Sequence, residues 1–256
     1  MTTAPVSDPL RSALDQTARI CSEYLKALRF VTADTRRDPE YLDNHLLSYL
    51  AQDFIESAHA IPLLVEQGIQ NVARREARFI LEAHLKMCFV QQQEYQSSIR
   101  TKLDAFESVF DSSKITIKRD ILLNLLPEED RPRLLEEAGR LYNAASSYVH
   151  LSCAQIFERI ERVDAERTAG RESPADVERL NDLLSRVLAC SLVFLFHSVP
   201  EYVAGDWLVE PDGSTVDWYF TRSRYLALID ARYDYKFERQ ERLKEIEAQR
   251  NERLTF

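Results

Sequence analysis

Arg78 and Glu82 stand four residues apart in the run Arg-Phe-Ile-Leu-Glu, and Tyr142, Ser146 and His150 stand four apart in Tyr-Asn-Ala-Ala-Ser-Ser-Tyr-Val-His. At 3.6 residues per turn, each set falls along one side of a helix. These residue types suit acid–base and phosphoryl chemistry: a histidine exchanges protons near neutral pH, and an arginine offsets the charge that builds on a phosphoryl group. His150 and Arg78 take those two roles, while Tyr142 and Ser146 are placed to orient a substrate or the imidazole. His84 offers a second arginine–histidine pairing, although six residues on one helix rotate it well away from Arg78. A plain reading competes with this one, in which Arg78 and Glu82 form an ordinary ion pair and the tyrosine, serine and histidine form a hydrogen-bonded seam between helices. Apolar neighbours such as Phe79, Ile80, Leu81, Leu141 and Val149 place both sets near a core, where polar groups need partners. The two stripes are expected to satisfy each other.

Other chemistry is thinly represented. Glu56-Ser-Ala-His59 has the glutamate–histidine spacing used by helix-bundle metal sites, but such sites need a second copy and further carboxylates. A half-exposed helix face is the expectation there, with no metal and no cofactor. The sequence contains no His-Glu-x-x-His, no glycine-rich phosphate loop and no Gly-x-Ser-x-Gly. His45 reads as exposed and His197 as a core residue.

The elements that must carry these residues are helical. Few glycines and prolines, 5 and 9 in 256 residues, leave little turn chemistry for hairpins and favour long helices with short connections. Asp8-Pro9, Asp38-Pro39 and Ser173-Pro174 each set a capping side chain before a proline, predicting helix starts. Helices are expected over 9–31, over 39–67 with Gly68 as a left-handed cap and Pro62 inside, and over 69–93. Shorter helices follow at 97–110 and 118–126, then a helical stretch from 133 to 167 that breaks near the paired serines. The helix at 174–196 is apolar all round in its second half, predicting a central core element. Asp-Gly between two β-prone runs at 207–218 predicts a small hairpin or ordered loop. The tail from 221 to 256 is expected to be helical, and its second half, dense in alternating charges with few apolar residues, to be a solvated single helix.

The net charge of −9 provides no global attraction to nucleic acid or an anionic membrane, though a local basic patch remains compatible with it. Cys21, Cys88, Cys153 and Cys190 are widely spaced in apolar helical context, so buried free thiols in a reducing compartment are expected. The opening residues lack the basic and apolar regions of a secretion signal, and the apolar stretch at 187–199 is short and interrupted for a membrane span. A cytoplasmic protein without a membrane partner is the expectation.

The pairing of Arg-x-x-x-Glu on one helix with Tyr-x-x-x-Ser-x-x-x-His on a later one resembles an uncharacterised family of bacterial all-helical proteins, and more broadly HEPN-type bundles. The resemblance covers roughly the central third of the chain. The HEPN ribonuclease signature is an arginine, often followed by a polar residue, then four to six residues and a histidine; Arg78 to His84 has the right separation, but Phe79 occupies the polar position. In keeping with the resemblance, the helix pattern along the chain predicts an all-α bundle of long antiparallel helices (1–204) with a small C-terminal extension (205–256) ending in a charged helix. The resemblance implies a defence or toxin–antitoxin component that forms homo-oligomers and acts on RNA, with metal-independent ribonuclease chemistry at Arg78, Glu82, Tyr142, Ser146, His150 and His84. The alternative is a non-catalytic interaction or regulatory subunit that binds another protein, its polar residues structural.

Overall fold

The computed structural model describes residues 7–39, 41–110, 120–148, 153–164 and 173–256. Among these there is no β-strand, and eleven α-helices account for most of the chain. Helix α1 (Asp8–Asp34) aligns Ile20, Tyr24, Leu28 and Val31 on one side, and all four are fully buried. That spacing is the amphipathic stripe that lets a helix cover a core on one face. After the single turn of α2 (Tyr41–Asn44), α3 (Leu47–Glu66) carries Pro62 in its interior.

Helix α3 ends where its sequence says it should. Gly68 has φ +72°, its N–H donates to the Val65 carbonyl, and the Ile69 N–H reaches back to the Leu64 carbonyl. These two bonds are the Schellman closure, which a left-handed residue makes possible and glycine adopts at no steric cost. The tight turn sends the chain back along α4 (Gln70–Gln93), the helix that carries Arg78, Glu82 and His84.

Helix α5 (Ile99–Phe110), α6 (Arg131–Ser146) and α7 (Cys153–Asp164) follow. Helix α8 (Pro174–Ser198) begins with a full capping box: the Ser173 hydroxyl accepts from the Asp176 N–H, and the Asp176 carboxylate accepts from the Ser173 N–H. Every residue from Val187 to Ser198 is buried. Helices α1, α3, α4 and α8 pack as a four-helix core, with α6 laid against α4 and α8. Hydrogen bonds join the starts of α1 and α8 through Thr17 and Asn181, and the ends of α4 and α8 through Gln92 and the His197 carbonyl. By length and composition α8 is apolar enough to cross a membrane, yet most of its apolar window is buried inside this fold.

Helix α9 (Glu201–Leu208), α10 (Arg224–Ala231) and α11 (Leu243–Arg253) form the C-terminal extension. Between α9 and α10 the chain makes a small hairpin-like loop with one isolated bridge, Val209 to Thr215, and Gly213 at φ +82° turns it. The tail expected to be helical from 221 is divided into α10, a 3-10 segment (Phe237–Arg242) and α11, which fold back on one another, while α11 itself is a charged helix with only Ile246 buried, in line with the solvated helix expected of the second half. Arg239 is fully buried in this region, donating to Asp230 at 2.6 Å and Asp234 at 3.0 Å, while Arg250 pairs with the same two carboxylates at 2.8 Å. Alternating charge therefore holds a knot together as well as solvating a face. The helix expected at 118–126 is also absent over 121–126, which forms turns and irregular backbone; residues 111–119 lie outside the described residues.

Candidate functional site

Helices α4 and α6 bring Arg78, Glu82 and Tyr142 together. The Arg78 Nη2 donates to the Tyr142 hydroxyl at 2.5 Å and lies 3.2 Å from the Glu82 carboxylate, one turn along. The guanidinium carbon sits 4.7 Å from the centroid of the Tyr142 ring. Glu82 accepts a second cation from the other side, Lys86 Nζ at 2.7 Å. One carboxylate thus lies between two positive groups along a single helix face, and the trio keeps a net positive charge. Arg78 and Glu82 are each about four-fifths buried and Lys86 nearly wholly so, which strengthens these contacts relative to an exposed pair.

The stripe is longer than its spacing first indicates. Gln70, Arg74, Arg78, Glu82 and Lys86 follow one another at four-residue steps, winding slowly round α4. The Arg74 guanidinium lies over the Tyr148 ring at 4.3 Å, and Arg75 Nε donates to the Tyr148 carbonyl at 2.7 Å. Three arginines of α4 therefore meet the C-terminal end of α6, where the helix dipole favours cations. Arg74, Arg75, Lys86 and Tyr148 were not singled out by the sequence reading. The four-residue repeat from Gln70 to Lys86 was the available signal.

The fate of the remaining expected residues differs. Ser146 is on α6, one turn beyond Tyr142, and its hydroxyl donates to the Tyr142 backbone carbonyl at 2.6 Å. It closes its own helix end, as serine near a C-terminus often does. His150 lies outside the described residues. His84 does not join Arg78: it is fully buried on the core side of α4, stacked on Phe54 at 3.9 Å. Its Nδ1 donates to the Ile80 carbonyl at 2.8 Å, and its Nε2 is 3.3 Å from the Tyr24 hydroxyl. Burial pushes its pKa down to about 4, so the ring is neutral at physiological pH. The six-residue offset already pointed to that separation.

Two smaller expectations are corrected. His45 is buried rather than exposed, its Nε2 donating to the Ser198 carbonyl at 3.0 Å and its Nδ1 accepting from the Leu47 N–H at 3.1 Å. The α2–α3 corner folds it under α8, a tertiary placement with no local signature. Cys153 is exposed on α7, while Cys21, Cys88 and Cys190 are buried free thiols as expected. Burial raises the Cys21 thiol to about 12. Glu56 and His59 are exposed on α3, where Glu56 accepts from Gln52. Among the described residues no three histidine, cysteine or carboxylate side chains gather to hold a metal.

Gln70 and Arg78 leave donors or acceptors unused. Both amide atoms of Gln70 and the Nε of Arg78 are buried without a hydrogen-bond partner, a cost that proteins keep at few places. Two surface recesses lie elsewhere. One of about 430 Å³ is lined by Gln16, Asn181, Asp182, Tyr219 and Arg222, and another of about 320 Å³ by Glu137, Arg186, Cys190 and Tyr225; no residue of the Arg78 seam lines either. No protein-family model, curated protein or solved structure matches this chain.

Proposed function

We propose that the α4–α6 seam is the working site of a HEPN-like bacterial cytoplasmic protein, of the defence or toxin–antitoxin kind, that engages RNA. The observation that carries this reading is the concentration of Arg74, Arg75, Arg78 and Lys86 on one helix, beside Tyr142 and Tyr148, in a chain whose net charge is −9. Arginine presents a planar, permanently charged fork suited to phosphate, and the half-buried Tyr148 offers an aromatic ring on which a base can stack. In the cleaving form of the proposal, His150 takes the proton of an attacking ribose hydroxyl and returns one to the leaving oxygen, while Arg78 offsets the charge on the phosphoryl oxygens. His84 takes no part in it, being neutral and enclosed.

A second reading is a non-catalytic interaction or regulatory protein. Arg75 on the Tyr148 carbonyl and Arg78 on the Tyr142 hydroxyl favour it, because both groups serve the joint between α4 and the end of α6. The deciding experiment is metal-free cleavage of mixed cellular RNA by the purified chain, beside folded Arg78→Ala and His150→Ala variants. Cleavage lost in both variants supports the ribonuclease; RNA binding without cleavage, weakened by Arg74→Ala and Arg78→Ala, supports a non-catalytic RNA binder; neither activity leaves the regulatory reading.

A further inference from the structure

Helix α7 differs from every other long helix in this protein. None of its residues whose side chains are described is buried, and no other described element packs broadly against it. Its apolar side chains nevertheless fall on one face: Ile156, Phe157, Ile160 and Val163, with Phe157 64% and Val163 72% exposed. A helix of 12 residues is marginal in water unless packing covers its apolar stripe. An exposed stripe of this kind marks an interaction surface.

The charges beside the stripe specify the occupant. Placing Cys153 and Ile160 at a positions of a heptad puts Ile156 and Val163 at d, Arg159 at g and Asp164 at e. Arg159 flanks one side of the stripe and Asp164 the other. In a parallel helix pair, a g residue meets the e residue five positions later on the opposite helix, so Arg159 meets Asp164 of the partner subunit, twice over by symmetry. An antiparallel pair about the middle of the stripe would instead set Arg159 against Arg159 of the partner subunit.

We propose that α7 pairs in parallel with α7 of a second copy of this chain, about a two-fold axis, burying Ile156, Ile160 and Val163 at the seam. The proposal is independent of the RNA reading. The pairing sets Cys153 across the axis from Cys153 of the partner subunit, and the other three cysteines are enclosed in the core. A single short helix per subunit makes a modest interface, so the dimer is reversible and concentration-dependent.

Sedimentation of the full chain over a concentration series tests the assembly, and mild oxidation with copper phenanthroline tests its register. The expected results are a monomer–dimer equilibrium abolished by Ile160→Glu, and a disulfide-linked dimer that is lost in Cys153→Ser. Arg159→Glu should weaken association about fivefold, and adding Asp164→Arg should restore it. A strict monomer, a dimer indifferent to Ile160→Glu, or a charge reversal that the second change does not rescue overturns the proposal.

Discussion

Arg78 holds Tyr142 by two contacts at once, a hydrogen bond from Nη2 to the phenol oxygen at 2.5 Å and a guanidinium carbon 4.7 Å from the ring centroid. The two contacts separate under mutation. Tyr142→Phe keeps the ring and removes the acceptor, and should cost about 0.5–1.5 kcal/mol in urea unfolding. Arg78→Ala removes both contacts and strips Glu82 of one of its two cations, so a loss of roughly 1–3 kcal/mol is expected. Equal losses in the two variants would show that the ring contact and the Glu82 ion pair together contribute nothing.

Gln70 should be replaceable to advantage. With both amide atoms enclosed and unpartnered, Gln70→Met removes the desolvation cost while keeping the length of the side chain. A gain of about 1 kcal/mol in stability is expected. A loss on thermal melting would mean that the amide is satisfied in solution.

Three buried histidines set the acid limit of the fold. His45, His84 and His197 are each pushed down to about 4 by burial, against an ordinary value near 6.5 in the unfolded chain. Between those values the unfolded chain binds more protons, so stability rises with pH there. It is fully present above pH ~6.5, falls as pH drops toward ~4, and levels off below that as far as these groups are concerned. Each histidine contributes a slope of roughly 1.4 kcal/mol per pH unit inside the window. Chemical denaturation at several pH values should show this slope, and His84→Phe should make it shallower by about a third.

The Arg239 knot should break sharply. Arg239→Met leaves Asp230 buried with Arg250 as its remaining cation, so a loss of roughly 1.5–3 kcal/mol is expected for the charged hydrogen bonds removed. Because the pair is enclosed, added salt should change its contribution little. The same loss in Arg242→Met, whose partners Asp212 and Glu245 are exposed, would contradict the assignment.

The sequence by itself determined the helical class, the cap at Gly68, the capping side chain at Ser173 and the central place of α8, because each depends on local spacing and backbone chemistry. It also determined that Arg78 and Glu82 share a helix face. Only the tertiary structure decided that Tyr142 closes on Arg78, since that contact spans 64 residues of chain. The same is true of His45 beneath α8, and of Arg239 drawing the charged tail into a buried knot. In each case a side chain with several acceptable local environments was assigned one by the packing of distant helices, and no periodicity records that choice.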